Sequence, residues 1–311
     1  MSNIDINDFF KASADLFADK KEQKAKGLYV NKLALEKGHN YLVRLLPYLK
    51  EGASGLNKTI FHFYTYAWRS CKDGRWIYMT SPKTWGEKCP ITEYYFAIMN
   101  SDNEAAKARV GKDKLSFKES WYYNVYVVDD PVNPENNGTV KYIQAGKQLN
   151  NIIAPALSQD PDIMAQNAEE YGVENMSNAV FDLSSNGINL SINVLDQGGF
   201  ADYKTSRWTG RRRDLGLSDE EIKAAYDSVF DLTQIERQHS RDEVCKIFTE
   251  TFLDGSDLTF ERAAGSGESS AVPKPAKKTP VVKEEPEDEP ETPTESVDLD
   301  ELEKYLKDGE E

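Results

Sequence analysis

No stretch of about 18 consecutive apolar residues occurs in the 311-residue chain, so no segment reads as a membrane-spanning helix and no membrane partner is expected. The opening residues, MSNIDINDFFKASADLF, have neither the basic start nor the apolar core of a secretory signal, which predicts an intracellular protein. Cysteine is scarce: Cys71, Cys89 and Cys245 are odd in number and widely spaced, which argues against a disulfide framework. Histidine is equally scarce, with His39, His62 and His239 scattered. There is no phosphate-cradling glycine loop, no Gly-x-Ser-x-Gly elbow and no His-Glu-x-x-His. An enzyme is not expected.

Positive charge is also in deficit, with 38 basic against 53 acidic residues and a net charge of −15. Taken whole, that opposes binding to a polyanion, because phosphate binding runs on Lys and Arg. The acidity is local, however. Residues 284–311 hold 14 acidic and 2 basic groups, which leaves 39 against 36, a net of −3, on residues 1–283.

Organisation follows the same division. Residues 1–26 form an arm in which Phe9, Phe10, Leu16 and Phe17 precede a basic run of Lys20, Lys21, Lys24 and Lys26. It suits a frayed solvated helix and a partner-binding arm equally. From about residue 28 to 200 the signal is short strands rich in aromatic and β-branched residues, at 41–47, 60–68, 75–79, 121–128 and 188–194. Turn formers bound them, and helical interruptions are expected around 90–109 and 147–170. About five short strands with helical insertions suit a small, partly open barrel of the OB type, mainly β with α insertions. Ser218-Asp-Glu-Glu221 is a capping box ahead of a helix, and a second helix follows through Val244, Ile247, Phe248 and Phe252. A flexible linker spans 263–283, and six prolines from 273 to 293 punctuate the passage into the acidic run. At the end, Leu299, Leu302, Tyr305 and Leu306 share one face of a short predicted helix, a partner-binding element.

The feature most informative about function is the interleaving of cations with rings. Residues 199–213 bring Phe200, Tyr203 and Trp208 together with Lys204, Arg207, Arg211, Arg212 and Arg213. Single-stranded nucleic acid needs both chemistries, since cations track the backbone while flat rings stack on bases at about 1–3 kcal/mol each. Arg75, Trp76, Trp121, Tyr122, Lys141, Tyr142 and Lys147 repeat the mixture on or beside strands. Adjacent strand residues face opposite ways, so only one of Trp121 and Tyr122 readily lines a groove. For metal, His62, Cys71 and Cys89 are too dispersed and one ligand short of a structural zinc site. No cofactor is expected.

Four stretches carry a family resemblance: Val43-Arg-Leu-Leu-Pro47; Asp73-Gly-Arg-Trp-Ile-Tyr78 followed by Cys89-Pro-Ile; Ser120 through Gly138; and Gly199-Phe-Ala-Asp-Tyr203. In these the chain resembles the single-stranded DNA-binding, helix-destabilising replication proteins of T-even-type bacteriophages. The resemblance implies an OB-fold core over 27–262 and a zinc-type subdomain near 62–100. It also implies an arm for cooperative self-association along DNA, and a tail (284–311) that recruits replication and recombination proteins in the infected host cytoplasm. Carried over by position, Arg44 meets phosphate, and Trp76, Trp121, Tyr122, Phe200 and Tyr203 line the groove. Two departures stand out. Of the family's one His and three Cys ligands only Cys89 is retained, the other positions reading Trp68, Ser81 and Thr92, so a metal-free subdomain is expected in preference to one where His62 and Cys71 take over as ligands. The arm's Lys/Arg-Ser-Thr cluster is reduced to Lys11-Ala-Ser13. An acidic-tailed interaction or chaperone protein, and an RNA-binding OB protein, are the rival readings of the same composition.

Overall fold

The computed structural model describes residues 31–50, 58–111, 114–173, 175–210 and 212–253. The arm, the linker, Arg211 and the acidic tail with Leu299, Leu302, Tyr305 and Leu306 lie outside the described residues. In chain order the elements are β1 (His39–Leu46), β2 (Ile60–Arg69), β3 (Trp76–Thr80), α1 (Pro90–Met99), α2 (Glu104–Arg109), β4 (Leu115–Asp129), β5 (Val140–Gly146) and α3 (Lys147–Leu157). They continue with α4 (Pro161–Tyr171), α5 (Met176–Phe181), β6 (Leu190–Gln197), β7 (Phe200–Asp202), β8 (Arg207–Trp208), α6 (Asp219–Asp227) and α7 (Arg241–Thr251). Strands and helices are mixed, and the antiparallel sheet curls into a half-barrel.

The described residues divide into two compact units, one running to Phe63 and resuming over Glu119–Arg237, the other taking Tyr64–Lys118 and the chain from Gln238. In the first unit β1 lies between β4 and β6, β5 pairs with β4, and β7 and β8 both pair with β6. Period-two alternation sets the inner face. Tyr41, Val43 and Leu45 of β1 meet Val125 and Val127 of β4 and Leu190, Ile192 and Val194 of β6, all buried in one cluster. Helices α3 and α5 contribute Leu149, Ile153 and Val180 to it. Each such side chain adds about 1.5–3 kcal/mol of hydrophobic burial.

The second unit is built on the β2–β3 hairpin. Tyr66 and Trp68, paired with Met79 and Ile77, turn inward to Ile91 and Tyr94 of α1 and to Val244 and Phe248 of α7. Trp68 is fully buried, its ring edge-on to Phe248 at 5.3 Å and its indole N–H donating to the Thr251 hydroxyl over 2.9 Å. Both helices foreseen after residue 217 form, each behind a complete capping box: Ser218 with Glu221, and Ser240 with Glu243. Strands β5, β7 and β8 and helix α5 add to the sequence reading. They are short or lack a clean period, and tertiary pairing fixes them.

Candidate nucleic-acid interface

On β6 the residues opposite the core are Ser191, Asn193, Leu195 and Gln197. Cross-strand pairing places Arg207 beside Ser191 and Phe200 beside Gln197, so both share that outer face. Gly198 and Gly199, both at positive φ, make the two-residue turn that delivers Phe200. Its ring is 71% exposed, an unusual position for a large apolar group. Lys37 holds the turn from β1's side, donating to the Gly199 carbonyl and pairing with Asp196 at 3.7 Å. Lys204, Arg207 and Arg212 are exposed, while Tyr203 is half-buried against the core with its backbone N–H on the Gln148 side chain. Lys147 is exposed at the start of α3, and Lys141 is half-buried on β5. Phe200 and Arg207 are therefore brought onto one face, with Lys204 in the turn between their strands.

Three expected contacts are turned inward, and this corrects the sequence reading. Tyr122 is buried, stacked on Phe63 at 4.4 Å, with its hydroxyl donating to Glu236 at 2.6 Å. Tyr142 is wholly buried, edge-on to Tyr122 and Phe230. These rings form an aromatic core, the ordinary fate of strand aromatics. Arg44 has no exposed surface. Its Nε donates to Asn189 Oδ1 at 2.8 Å, Nη1 to the carbonyls of Asp182 and Ser184 at 2.9 Å, and Nη2 to the Arg213 carbonyl at 2.8 Å. Burial draws its pKa down to about 10, which still leaves a cation at neutral pH. Val43 and Leu45 face the core, so Arg44 points to the other side of β1 and is roofed by 182–189 together with Arg213. Trp121, the neighbour of Tyr122, takes the opposite face of β4. It is half-buried and carries the His62 ring parallel at 4.7 Å, with His62 Nε2 2.6 Å from Glu119 Oε1.

The second unit has its own exposed group. On the outer face of the β2–β3 hairpin Arg69 pairs with Trp76, and Ala67 with Tyr78. The Trp76 and Tyr78 rings are 44% and 70% exposed with centroids 6.2 Å apart, and the Arg69 guanidinium lies 4.7 Å over Trp76. Arg75 is exposed beside them, its Nε on Asp73 at 2.6 Å. Tyr78 and Arg69 join Trp76 and Arg75 through signals that the sequence does hold: Tyr78 is two residues along the same strand, and Arg69 is the hairpin partner.

At the four positions that the resemblance matches to zinc ligands, three side chains are engaged in other contacts. Trp68 offers only a donor, and it is spent on Thr251. Ser81 caps the turn at Pro82–Trp85 by accepting from the Lys83 N–H, and the Thr92 hydroxyl is 2.7 Å from that of Tyr66. Cys89 alone keeps a ligand chemistry, and among the described residues no group of three or more His, Cys, Asp or Glu could hold a metal.

A curled antiparallel sheet that presents an exposed ring among cations has the chemistry of a nucleic-acid-binding β protein. The family model described as gp32 DNA binding protein like matches residues 36–251, and the chain belongs to that family. This is a family of DNA-binding proteins and not of enzymes, in agreement with the resemblance carried by the four motifs. Two relatives are each named single-stranded DNA-binding protein. That of Enterobacteria phage T4 is 25% identical over 171 residues, covering 53% of this chain and 50% of its own length. That of Enterobacteria phage T2 is 25% identical over 210 residues, covering 65% and 62%. The chain thus spans about half to three-fifths of the length of these relatives. Among the described residues no helix is long and apolar enough to cross a membrane.

Proposed function

We propose that this protein binds single-stranded DNA without strong sequence preference, through an OB-type groove served by the outer face of β6–β8. The observation that carries the reading is Phe200, held at 71% exposure on a glycine turn and sharing its face with Arg207. Burying that ring in the core would be worth about 1.5–3 kcal/mol, which its exposed position forgoes. A ring in that place among cations suits base stacking with phosphate neutralisation alongside. The phage relatives by name support the same ligand.

Finer parts of the reading rest on the resemblance. The protein coats exposed strands in phage replication, recombination and repair inside the infected host, and its arm mediates self-association along the strand. Residues 284–311 compete with DNA for the cationic groove and recruit replication proteins when displaced. The second unit works without metal.

A fluorescence titration with oligo(dT) tests the reading on the full chain, on Phe200→Ala and on a chain lacking 284–311. Saturable quenching is expected, weakened about tenfold by Phe200→Ala, which corresponds to ~1.4 kcal/mol of lost stacking. Removing the tail is expected to tighten binding and steepen its salt dependence. No quenching by oligo(dT), or equal affinity in Phe200→Ala, refutes the stacking assignment.

A further inference from the structure

Arg44 is a cation that reaches no solvent, and four of its five N–H donors are already taken by protein oxygens. The remaining N–H lies on a side chain with no exposed surface, out of reach of a phosphate outside. What it holds is informative. Nη2 grips the carbonyl of Arg213, whose own N–H donates to Gly187 O at 3.1 Å. Nη1 fastens the turn that ends at Gly187, through the carbonyls of Asp182 and Ser184. Nε takes the Asn189 amide oxygen, while the Asn189 backbone carbonyl receives Thr209 N–H at 2.9 Å. The irregular segment 182–189, Thr209 and Arg213 are thereby tied to one guanidinium rooted in β1, which sits in the sheet opposite Tyr126. Arg212 and Arg213 emerge exposed from this knot, Arg212 within 3.4 Å of the Asn186 side chain.

We propose that Arg44 is a positioning residue for nucleic-acid binding: it fixes the backbone from which Arg212 and Arg213 meet phosphate, without touching the ligand. The inference rests on the reading that this segment faces DNA. Preorganisation is the physical gain. An untethered basic loop must lose backbone freedom when it binds, whereas a tethered one has lost it on folding. Lysine is no substitute, because a single ammonium cannot serve four oxygens arranged around a planar fork.

The test is the salt dependence of oligo(dT) affinity in Arg44→Lys, Arg44→Met, Arg212→Ala/Arg213→Ala and the Arg44→Lys triple variant. Each single-strand phosphate contact contributes about 0.7 to the slope of log K against log salt. Arg44→Lys and Arg44→Met are expected to flatten the slope by about 1.4, as the Arg212/Arg213 double variant does, with no further loss in the triple variant. A direct phosphate contact instead predicts a wild-type slope in Arg44→Lys and a loss of only about 0.7 in Arg44→Met, and that result overturns the proposal. Thermal unfolding of each variant checks that it is folded. Should the Arg44 variants unfold, Asn189→Ala leaves the guanidinium in place and loosens only its Nε, and its slope is expected to lie between wild type and the double variant. A wild-type slope in Asn189→Ala then overturns the proposal. A wild-type slope in Arg212→Ala/Arg213→Ala overturns the placement of this segment at DNA, and with it the premise, while leaving Phe200 stacking to its own test.

Discussion

Gly187→Ala is a one-methyl substitution that is expected to cost about 3 kcal/mol. Gly187 does not occupy the left-handed region, so the backbone tolerates alanine, and the reduced freedom of the unfolded chain would by itself stabilise by about 0.4–1 kcal/mol. Space decides the sign. An added Cβ falls 2.5 Å from Arg44 Nη1 and 2.9 Å from its Cζ, and collides with the Asp182 carbonyl oxygen as well. The guanidinium is the middle of a four-bond knot and cannot yield by a simple rotation. Displacing it leaves a buried cation partly unpaired, a change worth about 3–5 kcal/mol, and the alanine gain offsets only a fraction of that. Urea unfolding followed by circular dichroism should show a lower midpoint with an unchanged m-value, and the melting temperature should fall by roughly 6–12 °C. Adding Arg44→Met, which removes the guanidinium clash but leaves that with the Asp182 carbonyl, should recover about 1 kcal/mol relative to the sum of the two single changes. A Gly187→Ala protein within about 1 kcal/mol of wild type would show that the knot is not the rigid centre described.

Asp231 and the second unit supply two further tests. Burial by itself would raise the Asp231 carboxyl, but hydrogen bonds from Thr233 and from Lys58, at 2.9 Å, hold it below its ordinary value. A depressed carboxylate contributes stability that is present above its unfolded pKa of about 4 and is lost as pH falls through that region. Unfolding midpoints of Asp231→Asn should therefore vary less between about pH 5 and 3 than those of wild type, and equal pH dependence would remove Asp231 from the acid response. In the second unit, metal analysis of purified protein should find no stoichiometric zinc, and 1,10-phenanthroline should leave the melting temperature unchanged. One zinc per chain would refute the metal-free reading of Trp68, Ser81, Cys89 and Thr92.

Strong periodicity made much of the fold legible in the sequence. The alternation read over 188–194 places Leu190, Ile192 and Val194 on the inner face of β6, with Ile188 buried just ahead of it, and the Ser218–Glu221 capping box announced α6. The short partners β7 and β8, three and two residues long, have no period to read and exist because β6 pairs with them. For the interface, residue type could suggest cations and rings but not their direction. Phe200 and Tyr122 are both aromatics in strands; one turned out and the other in, which depends on register and on what packs behind each strand. Arg44 shows the limit most clearly. The resemblance assigns Arg44 to phosphate, and only the long-range roof of 182–189 with Thr209 and Arg213 makes it an internal hub.

Trp68 meets the side chains of Phe248 and Thr251, about 180 residues further along the chain. During synthesis the β2–β3 hairpin therefore emerges long before α7, the element that closes its core, and Tyr66, Trp68 and Met79 have no cover from that side until α7 arrives. The interval favours slow, long-range completion of this unit and a period of aggregation risk. It also sets a boundary for shortening the gene: a chain cut anywhere between the first unit's last residue and Thr251 keeps the hairpin and discards its lid.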